Sequence, residues 1–372
     1  MNSLGFNKKE KDTKVIVAMS GGVDSSVAAV KLKKEGYDVT GVTLRLYNQP
    51  NSSKSKSCCA GIDIDDAKKI AQQFDFPHHV FDYQDKFYDG VVSNFIQSYA
   101  NGETPVPCIQ CNQTVKFSDL LEESKNLHAD ALVTGHYAIR KGGLSGSKLY
   151  KARDKTKDQS YFLYGLNQSQ ISNAIFPLGN LDKLQVRKYA KELGFRNFNK
   201  KDSTGICFIG ERNFKEFLKE YIPAMPGKIE TSSGETIGDH DGLMYYTLGQ
   251  RKGLGLGGSK DKLNAPWYVI SKNLKSNTLI VDQGHNHKNL YKKRLDGSNI
   301  NWISGVEPSK RRLKAKIRYR MKDASCTIIE LTSKIIKVEF DNPQFAIAPG
   351  QSIVFYDENK CLGGAIIDNA YN

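Results

Sequence analysis

Residues 18–26 read AMSGGVDSS and follow the apolar run Val15, Ile16 and Val17. A strand, a glycine-rich turn and a helix in succession build an anion site. The glycines let backbone N–H groups approach the ligand, and the helix N-terminus adds about half a positive charge. The lysine of a Walker-type G-x-x-x-x-G-K-[ST] loop is absent, so this is a phosphate loop of another kind. A plainer alternative has Ser20 or Asp24 capping the helix while the glycines only make the turn. Two more stretches carry thiols: TPVPCIQCNQTVKF at 104–117 and DSTGICFIGER at 202–212. Cys111 stands just before a helical pattern, and a thiol near a helix N-terminus has a larger thiolate fraction. Cys207 lies in a glycine-containing loop beside polar residues rather than in an apolar stripe. Both are read as reactive thiols, against the ordinary reading of a lone cysteine as a small core hydrophobe. Cys326 and Cys361 fall in strand patterns and are read as packing residues. The adjacent Cys58 and Cys59 beside the polar loop NQPNSSKSKS are left unassigned.

The elements that must position these residues alternate. Lys14–Met19, Asp38–Leu46, His79–Phe81 and Ala131–Thr134 read as strands. Asp24–Glu35, Asp63–Phe74, Asp85–Tyr99 and Asn112–Leu127 read as helices; Ala67, Ile70, Ala71 and Phe74 share one face of the second. Strand–helix alternation of this kind implies a doubly wound parallel α/β sheet, with its ligand site at the carboxyl ends of the strands. The texture changes near residue 216. Residues 226–256 are rich in glycine and turn residues without a helical period, and short strand patterns run from about Tyr291 to the end, fitting a small antiparallel barrel. The expected division is 1–13 as a flexible, solvated tail, 14–215 as the catalytic α/β domain, 216–285 as a β-rich central domain that contacts tRNA, and 286–372 as the β-barrel. KAKIRYRMK at 314–322 alternates strictly and is expected to be one strand with Lys314, Lys316, Arg318, Arg320 and Lys322 on a single basic face. Such a face suits phosphate contact, or serves only to protect a sheet edge. Gly253, Gly255 and Gly258 match G-x-G-x-x-G, but no strand precedes them and no helical pattern follows, so a loop is the better reading.

The chain has 372 residues, a net charge of +14, 39% hydrophobic and 25% charged residues, a globular composition long enough for two or three domains. The basic excess points to a polyanionic partner such as nucleic acid, or to solubility alone. No apolar run approaches the about 20 residues of a membrane helix, and the N-terminus lacks the apolar segment of a secretory signal. With an odd number of cysteines, seven, this favours a reducing, cytoplasmic setting without membrane partners.

SGGVDSS resembles the PP-loop of the ATP pyrophosphatases, which split ATP between the α- and β-phosphates. Together with CNQTVKF, TGHY at 134–137, KDQSYFL at 157–163, STGICFIGER at 203–212, GQRKGLG at 249–255 and IRYR at 317–320, it resembles, motif by motif and in the same order, the tRNA-specific 2-thiouridylases. The resemblance runs from about residue 14 to the end. It implies ATP, taken with Mg2+, at Ala18, Met19, Ser20, Gly21, Gly22, Val23, Asp24, Ser25, Leu44 and Gly135. It implies target-base contacts from Val106, Pro107 and Cys108, tRNA contacts from Lys157, Asp158, Gln159, Arg318, Tyr319 and Gln351, and a site role for His136. Cys207 would carry a persulfide sulfur and Cys111 would be its partner thiol, a pair that closes a disulfide as sulfur is released. The implied product is 2-thiouridine at the wobble position of tRNAs of the Lys, Glu and Gln types, with sulfur delivered by a cysteine desulfurase or a sulfur-relay protein. Some members carry Asn-Pro-Asp where this chain has Val106, Pro107 and Cys108, and a thiol cannot copy a carboxylate's acid–base role. Cys108, Cys111 and Cys207 could also ligate an iron–sulfur cluster with an added sulfide, the less favoured reading, since one C-x-x-C is an incomplete ligand set; no other metal site is expected. The competing readings are another PP-loop ligase or amidotransferase, which leaves the paired thiols unexplained, a non-catalytic RNA-binding protein, and a thiol–disulfide oxidoreductase built on Cys108 and Cys111, which needs no phosphate loop.

Overall fold

The computed structural model describes residues 1–47, 61–143, 146–200, 202, 205–210, 213–257 and 265–372. Cys58, Cys59 and Gly258 lie outside these residues. Four strands, β1 (Lys14–Ala18), β2 (Asp38–Arg45), β3 (His78–Asp82) and β4 (Ala131–Thr134), are followed by the hairpin β5 (Ala138–Lys141) and β6 (Lys148–Lys151) and by β7 (Ala174–Ile175). The parallel sheet runs β3-β2-β1-β4-β7. Val15, Ile16 and Val17 are fully buried, because helices cover both faces of a parallel sheet. Helix α1 (Val23–Lys34) packs Val27, Ala28 and Val30 on one face, and α2 (Gly61–Gln73) lies beside it. Chain order reverses on the two sides of β1, so the loops after β1 and β4 border the crevice at the carboxyl ends.

Two all-β units follow. The central sheet has the order Trp267–Asn273, Thr278–Gln283, Gly227–Thr231, Thr236–His240. The C-terminal unit is a closed six-stranded antiparallel barrel. Tyr291–Trp302 pairs with both Ile336–Phe345 and Lys360–Tyr371, which removes both sheet edges. Cys326 and Cys361 are buried in these strands, where burial pushes both thiols up, Cys326 to about 12. The β5–β6 hairpin of the first unit pairs with the barrel, Tyr150 opposite Lys360 and Leu149 opposite Cys361, so one sheet spans both. No helix among the described residues is long and apolar enough to cross a membrane.

The structure corrects three expectations. Residues 1–13 are not a free tail: Phe6 is buried in the first unit's core, Asn2 Nδ2 donates to Thr13 Oγ1 at 2.8 Å, and Lys8 pairs with Asp130. The thiol-bearing helix begins at Pro107 rather than Asn112, because proline with its preset φ is a good first helical residue. It opens into a π-helical stretch, Cys111–Asp119, and closes as α-helix over Leu120–Asn126. The barrel strand expected at 314–322 runs only over Arg312–Lys316, and 317–322 bends away, so the basic residues do not share one face.

Candidate active site

The segment after β1 folds as an open anion cradle. Gly22 is the N-cap of α1, no side chain caps it, and the hydroxyls turn inward: Ser20 N donates to Ser25 Oγ at 3.1 Å. Gly21 has φ +68°, and a Cβ there would stand 2.2 Å from Asp63 O at the start of α2. Gly135 is equally constrained, since its Cβ would lie 2.7 Å from Ser25 N and 2.9 Å from Asp24 C. The β4 loop is thus pressed against the first turn of α1.

Asp24 anchors an ionic chain. Lys183 Nζ donates to Asp24 Oδ1 and Oδ2 at 2.7 and 2.8 Å and also sits 2.8 Å from Asp202 Oδ1. Tyr137 Oη donates to Asp24 Oδ1 at 2.8 Å; burial first, then the charge of Asp24, keeps this phenol protonated. Burial alone would raise the Asp202 carboxyl, but hydrogen bonds from Lys157 and Lys183 outweigh it and hold it at about 2. Lys200 Nζ bridges Asp63 and Asp66 at 2.6 and 2.9 Å. Asp24 and Asp63 therefore already face lysines. No group of three His, Cys, Asp or Glu among the described residues converges to hold a metal ion.

A cavity of about 1110 Å³ joins this cradle to the thiols. Pocket walls include Ser20, Gly22, Asp24, Leu44 and Gly135 on one side and Pro107, Cys108, Cys111 and Cys207 on the other. It exceeds the roughly 300–1,000 Å³ of a single-ligand pocket, so two substrates fit. Among the described residues eight lysines and one arginine line it against five aspartates, an excess of positive charge suited to phosphates. Cys108, in the first helical turn after Pro107, has the helix N-terminus that sequence reading gave to Cys111, while Cys111 is buried at the start of the π-helical stretch. His136 also lines the cavity. Its Nδ1 is 2.8 Å from Thr134 Oγ1, and desolvation, then Lys116, holds its pKa down to about 3, so the ring is neutral.

Profiles of three domain families match in order: the tRNA methyl transferase HUP domain over 13–211, the tRNA methyl transferase PRC-barrel domain over 215–283 and the aminomethyltransferase beta-barrel domain over 292–367. A Coxiella burnetii protein named tRNA-specific 2-thiouridylase MnmA is 48% identical over 360 residues, 96% of this chain and 99% of the relative. Its namesake in Francisella tularensis is 47% identical over 359 residues, 96% and 99%. The chain belongs to the family of tRNA-specific 2-thiouridylases. The solved structures it matches are remote, such as a 4-thiouridine synthetase–RNA complex with bound ATP at TM-score 0.36 and 18% identity, covering 57% of this chain and 51% of that one.

Within this 2-thiouridylase, most residues singled out from the sequence meet at the cavity; Gly21, Val106, Arg318 and Gln351 do not line it. Val106 caps the helix of Cys108. Asp158 is buried and accepts from Ala152 N and Ser160 N at 3.0 and 3.2 Å, and Gln159 Oε1 accepts from Tyr137 N at 2.9 Å, so both brace loops. Tyr319 lies against Phe162, ring centroids 4.3 Å apart. Arg318 turns inward and donates from Nη2 to the Leu248 and Ala346 carbonyls at 2.9 and 2.7 Å. Gln351 Nε2 donates to Thr104 O at 2.6 Å. Sequence reading missed Asn112, Tyr137, Lys183, Lys200 and Asp202. Asp182 and Gln185 form a capping box that fixes a helix start at Lys183, a signal that was in the sequence; nothing there ties that lysine to Asp24.

Proposed function

We propose that the chain is a tRNA uridine 2-sulfurtransferase that activates the C2 oxygen of the wobble uridine with ATP and replaces it with sulfur. The observation that carries this is the single cavity that joins an uncapped PP-loop to Cys108, Cys111 and Cys207, in a chain whose relatives are named for this modification. ATP enters as its Mg2+ complex, its phosphates on the N–H groups of the loop 20–25 and its charge met by Lys183 and Lys200. The uridine O2 attacks the α-phosphorus, pyrophosphate leaves, and the C2 oxygen becomes part of an AMP leaving group. Cys207 carries the incoming sulfur as a persulfide. Either its terminal sulfur attacks C2 and expels AMP, after which Cys111 thiolate breaks the sulfur–sulfur bond; or Cys111 first frees hydrosulfide, which attacks C2. Both routes leave 2-thiouridine and a Cys111–Cys207 disulfide, which a cellular dithiol reduces. Neutral His136 suits a hydrogen-bond role rather than proton uptake. The tRNAs of the Lys, Glu and Gln types, a cysteine desulfurase or sulfur-relay donor and a cytoplasmic setting complete the reading.

The test is purified protein with ATP, a U34 tRNA transcript and a persulfide source. AMP, pyrophosphate and 2-thiouridine should form together and only with tRNA present. Asp24→Ala should abolish AMP formation while tRNA binding stays within a few fold. Formation of AMP at the same rate without tRNA would sink the proposal.

A further inference from the structure

We propose that Asn112 reads the N3–H of the target base, admitting uracil and rejecting cytosine; this rests on the sulfurtransferase reading above. Asn112 is 2% exposed, yet it lines the cavity beside Cys111. Its Nδ2 donates to Phe162 O at 3.0 Å. A carbonyl can only accept, so that bond fixes the amide: the nitrogen faces Phe162 and Oδ1 is the acceptor. This Oδ1 is buried and has no hydrogen-bond partner in the protein. Buried acceptors are nearly always matched, and an unmatched one at a cavity wall marks where a ligand's donor belongs.

The chemistry names the donor. Uracil and cytosine share the C2 carbonyl on which this reaction works, so C2 cannot tell them apart. At N3 they are opposites: uracil carries N–H, and cytosine carries a lone pair. An acceptor facing N3 forms a hydrogen bond with the first and sets lone pair against lone pair with the second. N3 is bonded to C2, so the residue that reads it must stand next to the sulfur chemistry, and Asn112 follows Cys111 in the chain. The group that holds the amide supports the same assignment. Phe162 and Tyr319, whose rings pack on each other with centroids 4.3 Å apart, both line the cavity and give it an aromatic wall. Asn112 therefore acts on selectivity and base placement, while the phosphate loop and the thiols do the transfer.

The test pairs a change in the residue with a change in the base. Asn112→Leu keeps the volume and removes the acceptor; tRNA with 3-deazauridine at position 34 keeps the ring and removes the N3–H. In the wild type, 3-deazauridine should weaken competition for the site about ten- to a hundredfold relative to U34, the range of a lost hydrogen bond to a buried group. Asn112→Leu should bind the two alike, lose its preference for U34 over C34 tRNA, and keep its Kd for ATP. The last two readings, taken on binding, separate a lost contact from a misfolded variant. If Asn112→Leu still discriminates 3-deazauridine as the wild type does, or if its defect lies in ATP affinity, the assignment is wrong. If the wild type makes no 2-thiouridine from the U34 transcript, the sulfurtransferase reading itself falls, and this inference with it.

Discussion

Cys207 and Cys111 stand out in the sequence because both are read in turn-rich segments and not in an apolar stripe; the structure keeps Cys207 in a turn but buries Cys111 in the apolar core at the start of the π-helical stretch. Chemistry divides their roles. If Cys207 carries the sulfur, Cys207→Ser should still form AMP from ATP on U34 tRNA but yield no 2-thiouridine, and mass spectrometry of digested nucleosides checks both at once. Cys111→Ser should keep AMP formation and release no 2-thiouridine: on the hydrosulfide route Cys207 keeps its persulfide, a mass gain of one sulfur, and on the direct route Cys207 stays joined to the tRNA through a disulfide. Thiolation at the wild-type rate by either variant would remove that thiol from the mechanism. What the sequence could not show are the partners that arrive from far along the chain. Lys183 meets Asp24 and Asn112 meets Phe162 only through tertiary folding. Arg318 was misplaced for a related reason. The alternation of KAKIRYRMK continues past Lys316 in the sequence, but the strand does not, and beyond it the guanidinium turns to backbone carbonyls rather than to solvent.

At the scale of elements, the parallel sheet and its phosphate loop follow from period and punctuation: a buried apolar strand, glycines, then a helix. The start of the thiol helix was missed because the apolar pattern begins after Cys111, while Pro107 sets the first turn through its backbone alone. The π-helical stretch at Cys111–Asp119 had no signal in the pattern, since widening one turn changes no residue type. The contact between elements that the cradle needs most is that of the β4 loop with α1. A methyl group at Gly135 would press on Ser25 N and Asp24 C, both backbone atoms that cannot rotate away. Gly135→Ala should therefore cost about 1–3 kcal/mol of stability by overpacking and raise KM for ATP, while the affinity for tRNA holds. Unchanged ATP kinetics in a variant of lowered melting temperature would show that the close approach supports the fold and not the nucleotide site.

Across the whole molecule, both β units grip the segment that leads into the thiol helix. Thr104 N donates to Pro349 O at 2.9 Å and Thr104 O accepts from Gln351 of the barrel, while Lys272 Nζ of the central sheet donates to Gly102 O at 2.8 Å. Gly350, at φ +84°, lets the barrel backbone come this close: a Cβ there would lie 2.9 Å from Thr104 N. Through these bonds both β units are tied to the segment that leads to Cys108 and Cys111. Lys272 gives this joint a titratable member. Burial lowers its pKa to about 8, against about 10.4 for a free lysine. Below pH 8 both folded and unfolded chains carry the proton, and folding bears the whole cost of burying the charge. Between about 8 and 10.4 the unfolded chain binds more protons than the folded one, so the cost fades and stability contributed by this residue rises with pH. Lys272→Met has no proton to lose. The melting temperature of the wild type minus that of Lys272→Met should thus climb as pH goes from 8 to 10, with the opposite of the trend expected for a lysine stabilised by an ion pair. A difference that stays flat across that interval would mean that Lys272 is solvated in the folded protein and that the central sheet does not clamp the Gly102–Thr104 segment through it.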